Sequence, residues 1–276
     1  MTCHVFITAE IGINHNGDPA LACRMIQEAA EAGCDAVKFQ KRTIDKVYTP
    51  EFLASPRESP WGTTQREQKE GLEFGEKEYD VIHDFCKKCN IQWFASCWDV
   101  DSLRFLRKYD LKYNKIASPV LTNESLLEEC AKEGKYTFIS TGMSTWEEID
   151  SAVGIFRKYS CPFELMHCVS IYPSVPEEAN LCMIGSLQKR YDCPVGYSGH
   201  EIGHLSTLGA VAMGATSVER HFTLDRNMYG SDQKSSIEPS GMREMVALIR
   251  QMEKARGSGE RILTEKELAV RKKMRS

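Results

Sequence analysis

Long apolar runs are missing from this chain: no stretch approaches the roughly 20 apolar residues that a membrane-spanning helix needs. Basic charge is not in excess either, since 35 Lys and Arg stand against 39 Asp and Glu in 276 residues, a net charge of -4. With no basic run to neutralise a phosphate backbone, nucleic acid is excluded as the main partner, and small molecules become the expected ligands. The opening MTCHVFITAEIG lacks a basic segment, a long apolar stretch and a small-residue cleavage site. It does not read as a secretory leader, so a cytoplasmic location is expected. No GxGxxG follows the first β-rich run, which argues against a dinucleotide fold. The eleven cysteines are odd in number. Cys86 and Cys89 form a single CxxC with no second pair at zinc spacing, while Cys23, Cys34, Cys130 and Cys168 lie in apolar periodic segments. Reduced core thiols are expected rather than a disulfide framework or a zinc site.

What is present is an alternation of short β-rich runs and amphipathic segments. Strands are expected over residues 5–11, 35–40, 91–97, 113–118, 136–141, 163–170, 194–200 and 217–223. Helical periodicity covers 19–32, 76–88, 101–109, 124–132, 146–159, 181–190, 204–213 and 239–254. Asp18, Asn123, Thr145 (three residues before Glu148) and Ser240 are placed to cap helix starts, and Gly33, Gly134 and Gly214 to end helices in the left-handed conformation. Eight strand-then-helix units predict an α/β protein with a (β/α)8 TIM barrel as one domain over residues 1–276, followed from about residue 255 by a charged tail. That tail would be a solvated segment or a helix packed on a second subunit. The one long insertion, residues 42–75, carries Pro50, Pro56, Pro60 and Trp61 and reads as a lid or substrate wall.

In such a barrel the chemistry sits at the C-terminal ends of the strands. Polar residues gather there: Glu10, Lys38, Gln40, Ser96, Lys115, Ser118, Ser140, Ser170, Tyr172, Ser198, His200, Glu219 and His221. His200 and His221, on adjacent strands, would converge on one divalent ion or would be two unrelated hydrogen-bonded imidazoles. Glu10 is open between metal ligand, partner of a metal-bound water and buried acid. Lys38 and Lys115 are costly to bury without an anion. With the hydroxyls of Ser118 and Ser170 they suggest a bound phosphate or carboxylate. A Schiff-base lysine and a snorkelling strand-end lysine are the alternatives. No acidic partner for Lys115 is evident from its neighbours in sequence.

Several strings resemble the sialic acid synthase family, whose enzymes condense phosphoenolpyruvate with N-acetylmannosamine or a related sugar. They are AEIGINHNGD (9–18), AVKFQ (36–40), YNKIAS (113–118), STGMSTWEEI (140–149), the YP of SIYPS (170–174), GYSGHE (196–201) and ERHFTLDR (219–226), in the family's order along nearly the whole chain. The resemblance implies a transferase giving a 2-keto-3-deoxy sugar acid and phosphate. It implies that His200 and His221 bind a divalent metal, most often Mn2+, with Mg2+ or Co2+ as substitutes. It places Lys38, Lys115, Ser118, Ser140, Ser170, Tyr172 and Ser198 at phosphoenolpyruvate, and makes Glu10 and Asp232 the catalytic acids or bases. As partners it implies phosphoenolpyruvate and an aldose; a homodimer and a separate chain carrying the family's small antifreeze-like domain are left open. A noncatalytic sugar-acid or partner-binding barrel is the reading from a different class.

Two departures lead to the expectation of an altered acceptor sugar. The family's carboxylate two places after the serine matching Ser118 is replaced by Val120, and the sequence stops at Ser276 without the antifreeze-like domain whose arginine reaches the sugar.

Overall fold

The computed structural model describes residues 4–257 and 259–275. Cys3, read above as reduced, and the tail residues Ser258 and Ser276 lie outside them. In chain order the strands are β1 (Phe6–Gly12), β2 (Ala36–Lys41), β3 (Pro56–Ser59), β4 (Gly62–Thr64), β5 (Gln92–Cys97), β6 (Tyr113–Ile116), β7 (Tyr136–Ser140), β8 (Phe163–Cys168), β9 (Val195–Gly199) and β10 (Ser217–His221). Eight of them close a parallel barrel in the order β1-β10-β9-β8-β7-β6-β5-β2, and β3 and β4 form a separate antiparallel pair. The expected TIM barrel is the observed one. Strand limits differ from expectation by a few residues at most, so that Ser118, Thr141, Ser170 and His200 lie just past their strands.

The helices around the barrel are α1 (Pro19–Glu31), then α2 (Ile44–Val47), α3 (Pro50–Ala54) and α4 (Gln65–Leu72) within the insertion, and α5 (Glu76–Lys88), α6 (Val100–Leu106), α7 (Glu124–Ala131), α8 (Trp146–Lys158), α9 (Met183–Tyr191), α10 (Leu205–Ala212), α11 (Pro239–Arg256) and α12 (Glu265–Met274). α1 shows the logic of the set. Asp18 accepts from the Ala20 N–H at 2.8 Å, Pro19 occupies the first helical position, and Ala22, Met25, Ile26 and Ala29 bury one stripe against the sheet. Gly33 then takes φ 86°, which a side chain would resist. Thr145 and Glu148 form the expected capping box of α8. Ser240 does not cap α11: that helix begins one residue earlier at Pro239, whose fixed φ suits the first turn, with Glu238 at the cap position.

Inside the barrel, side chains alternate with the period of two that strands impose. Phe94 and Phe138 stack with centroids 5.6 Å apart and Phe6 stacks on Phe138, also at 5.6 Å, closing the bottom of the barrel with aromatic rings. The charged layer described below lies above them. The insertion is folded rather than irregular, through three short helices and the β3–β4 pair. All ten described cysteines are free, and α12 is exposed along its length. Among the described residues no helix is long and apolar enough to cross a membrane.

Candidate active site

One cavity of about 370 Å3 opens at the C-terminal end of the barrel, and every site residue expected from sequence lies on its wall. Those residues are Glu10, Lys38, Lys115, Ser118, Ser140, Ser170, Tyr172, Ser198, His200, His221 and Asp232. The alternation explains the gathering: Glu219 and His221 on β10, and Lys38 and Gln40 on β2, are i and i+2 on inner faces.

A network of buried charge forms the floor. Glu10 and Lys38 are register partners across β1 and β2, with a bulge just beyond Glu10, and Glu10 is also paired with His221 across β1 and β10. Lys38 Nζ therefore lies 2.7 Å from Glu10 Oε2 and 3.5 Å from Glu219 Oε1, and donates to Ser96 Oγ at 2.9 Å. Lys115 Nζ lies 3.2 Å from Glu219 Oε2. Gln40 Nε2 donates to Glu10 Oε1 at 3.0 Å, and Ser198 Oγ to Glu219 Oε1 at 3.4 Å. Lys115 thus has an acidic partner that its sequence neighbours do not reveal. Glu219 is the residue missed as a site member, and its signal was its place two before His221 on the same inward face.

Burial and charge act in opposition on this floor. Desolvation pushes the Glu10 carboxyl up despite the attraction of Lys38. Burial works against the Lys38 ammonium too, but Glu10 and Glu219 outweigh it and its pKa rises. Glu219, facing both lysines, is held down by Lys115 and Lys38 against its own burial. Lys115 is pushed down by burial, only partly offset by Glu219.

On the β7–β8 side the backbone itself approaches the cavity. A Cβ on Gly142 would stand 2.5 Å from Ser170 Oγ and 2.8 Å from Ser118 Oγ, so only glycine fits, and its N–H donates to Ser118 Oγ at 3.1 Å. Met143 follows in a left-handed conformation, φ 61°, with its side chain on the cavity wall. The Ser118 and Ser170 hydroxyls, with the lysines across the floor, offer an anion several donors at once.

At the rim, His200 Nδ1 donates to the Val169 carbonyl at 2.6 Å, since a carbonyl only accepts, and this leaves the lone pair on Nε2. Burial, with His221 beside it, lowers the His200 pKa to about 3. The two imidazole centroids are 5.5 Å apart, and the half-exposed Tyr172 ring lies 4.0 Å from that of His200. His221 Nδ1 is buried without a hydrogen-bond partner, 3.7 Å from Asp232 Oδ2. A neutral, backbone-oriented imidazole and an orphaned ring nitrogen are the donor chemistry that suits a divalent transition metal. Among the described residues no group of three or more His, Cys, Asp and Glu side chains forms a cage, so water and substrate oxygens would complete the coordination of an ion held there. Behind the pair, Arg220 donates to Glu201 Oε1 at 3.0 Å and to Thr207 at 2.8 Å, tying together the residues next to His221 and His200.

Two sequence expectations meet a different arrangement. Val120 is buried in the core and off the cavity wall, so the carboxylate missing at this position is not a gap in the visible pocket. Trp61 packs its ring against Tyr229 at 5.7 Å rather than lining the cavity. The insertion nevertheless forms part of the wall, through Arg42, Tyr48 and Lys69.

Fold and site together define a (β/α)8 barrel enzyme with a charge-compensated polar cavity at its catalytic end. The profile of the NeuB family matches residues 25–261, and the chain belongs to that family. It is 38% identical over 272 residues to the mouse N-acetylneuraminate-9-phosphate synthase, covering 98% of this chain and 76% of that protein. The N,N'-diacetyllegionaminic acid synthase of Legionella pneumophila is 35% identical, covering 98% and 78%. A crystal structure of the N-acetylneuraminic acid (sialic acid) synthetase from Leptospira borgpetersenii in complex with citrate superposes with a TM-score of 0.89 at 36% identity, covering 99% of this chain and 93% of that one. The protein is accordingly an enzyme of the transferase type, a synthase of this family.

Proposed function

We propose that this protein condenses phosphoenolpyruvate with the open-chain form of an acetamido aldose, N-acetylmannosamine or a close relative, giving a 2-keto-3-deoxy sugar acid and phosphate. The observation that carries this reading is the pair of buried lysines balanced by Glu10 and Glu219, facing the Ser118 and Ser170 hydroxyls across one cavity. Such a floor suits a small, highly charged substrate carrying both phosphate and carboxylate.

In the reaction the π pair of the enol C2–C3 bond forms the new bond from C3 to the aldehyde carbon, and the aldehyde oxygen takes up a proton. Water adds to the cation left at C2 and loses a proton, and the tetrahedral intermediate expels phosphate together with the bridging oxygen. Lys38 and Lys115 hold the phosphate and carboxylate charge throughout, with Ser118, Ser140, Ser170 and Ser198 fixing orientation. Glu10, paired with Lys38 and with its pKa raised by burial, orients the water and takes its proton. Asp232 holds the sugar oxygen, and Tyr172 covers the His200 face of the site. His200 and His221 hold the divalent ion, most readily Mn2+, which when bound supplies Lewis-acid polarisation of the aldehyde.

The relatives differ at the acceptor's far end: one is named for a 9-phosphate product, others for unphosphorylated acids. Purified chain with phosphoenolpyruvate, Mn2+ and a panel of aldoses, read as phosphate release and product mass, tests the reading. A Schiff-base aldolase is favoured by one observation, the depressed Lys115 pKa. It would instead consume pyruvate and be trapped by borohydride at a lysine.

A further inference from the structure

His200 and His221 owe their places to different supports. The His200 ring is tied to the Val169 carbonyl, whereas the buried His221 Nδ1 has no hydrogen-bond partner, so the backbone largely sets where that ring sits. On the β1 side His221 still has a register partner, Glu10. On the β9 side the ladder stops one residue short: Val218, Glu219 and Arg220 pair with Tyr197, Ser198 and Gly199, and His200 and His221 are the next residue on each strand.

The Arg220 side chain takes over at this point. It leaves β10 on the face opposite to Glu219 and His221, away from the lumen. There it donates to the Glu201 carbonyl and, at 2.9 Å, to the Gly203 carbonyl, one on each side of Ile202, as well as to Glu201 Oε1 and Thr207 Oγ1. Glu201 in turn accepts from the Thr207 N–H at 3.1 Å and hydroxyl at 2.7 Å, in the first turn of α10, and from the Tyr197 hydroxyl at 3.1 Å. Gly199 makes the room: a Cβ there would run into the Glu201 carboxylate and stand 3.0 Å from Arg220 Cδ.

Capping α10 needs only the carboxylate, and neutralising that carboxylate needs only a charge. The bonds to two backbone carbonyls do something else, since they hold the loop after His200 against the strand that carries His221. The Arg220 and Glu201 side chains are 0% and 3% exposed. A pair buried so deeply seldom stabilises a fold more than an apolar pair of the same size would; what it supplies here is directed bonding at a strand end.

We infer that Arg220 and Glu201 are positioning residues of the metal centre. Their bridge replaces the rungs that the β9–β10 ladder lacks and fixes the separation of the His200 and His221 rings, 5.5 Å between centroids, on which affinity for the divalent ion depends. The inference rests on the assignment of those two histidines to the metal. Neither Arg220 nor Glu201 lies on the wall of the active-site cavity, so they act through the histidines and not on substrate.

The test measures the Mn2+ dissociation constant of the full chain by electron paramagnetic resonance and the visible absorption spectrum of its Co2+ form. Arg220→Lys keeps the charge and loses the fork; it should weaken Mn2+ binding about tenfold or more, the lower end of what such supporting contacts are worth, and alter the Co2+ spectrum. Arg220→Met combined with Glu201→Gln removes both charges, so neither is stranded. That double variant should resist urea better than Arg220→Met alone and still bind Mn2+ about tenfold more weakly than the unaltered protein. Phe138→Leu, which loosens the aromatic layer at the other end of the barrel, should lose stability and keep both metal readouts. Arg220→Lys folding cooperatively with unchanged Mn2+ affinity and Co2+ spectrum would overturn the inference, as would a double variant whose metal affinity recovers along with its stability. Undiminished Mn2+ binding by a protein lacking both histidine side chains would instead overturn the metal assignment, and this inference with it.

Discussion

Lys38 Nζ and Glu10 Oε2 lie 2.7 Å apart at the floor of the cavity, and their side chains are only 3% and 1% exposed. Removing one member of such a pair strands the other charge in a medium that solvates it poorly, at a cost of about 3–5 kcal/mol. Lys38→Met leaves the Glu10 carboxylate with Gln40 alone, whereas Glu10→Gln leaves Lys38 its Glu219 and Ser96 partners. Urea denaturation should therefore find Lys38→Met clearly the less stable of the two variants. Glu10→Gln should fold well yet lose about a hundredfold or more in kcat, the usual scale for a missing acid or base.

Lys115 has Glu219 on one side and, in the proposed reaction, phosphoenolpyruvate on the other. Lys115→Met should raise the KM for phosphoenolpyruvate by a factor equivalent to roughly 2 kcal/mol, the size of a charge-assisted contact. The acceptor KM should move far less. An unchanged phosphoenolpyruvate KM would assign the lysine a purely structural task.

Prolonged chelation should abolish turnover, with Mn2+, Co2+ or Mg2+ restoring it, and His221→Ala should behave like the chelated protein. Metal content by mass spectrometry should fall in parallel. A metal-stripped protein lacking both histidine side chains that kept full activity would contradict the assignment of His200 and His221.

His15 gives a stability signature independent of the chemistry. Its ring stacks on Phe74 at 3.8 Å, and burial, reinforced by Arg42, lowers its pKa to about 3. The unfolded chain binds a proton near 6.5, so from there down to about 3 the unfolded state holds more protons than the folded one. Stability from this group is complete above pH 6.5 and lost as the pH falls through that window. His15→Phe, which keeps the stack, should flatten the decline in unfolding free energy between pH 6.5 and 4.

The barrel was legible because its signals are local. Strand runs such as 5–11 are rich in β-branched and aromatic residues and are followed by a Gly or a capping residue before the next helix. The inward polar residues were legible because a period of two carries them to one wall. Pairing was not: Glu10 meets Lys38 through the register of β1 on β2, and Glu219 reaches both lysines across the lumen, neither of which is encoded by spacing along the chain. The elements inside the insertion were not legible, because helices of four or five residues such as Ile44–Val47 are too short for a periodic stripe. Val120 shows the opposite error, where a motif position suggested a pocket wall and packing turned the side chain into the core.

The acceptor panel bears on another point. Since Val120 is off the wall, acetamido aldoses should outperform plain aldoses of the same configuration when kcat/KM values are compared. A neutral aldose lacking the acetamido group that wins clearly would return weight to an altered sugar pocket.

The most direct measurement uses phosphoenolpyruvate labelled with 18O at the oxygen bridging C2 and phosphorus, incubated with the enzyme, Mn2+ and its aldose. Cleavage of the C–O bond sends the label into inorganic phosphate, detected by mass spectrometry, with the new acid three carbons longer than the aldose. Label retained in the keto acid, or the same acid formed from pyruvate without phosphoenolpyruvate, would contradict the account.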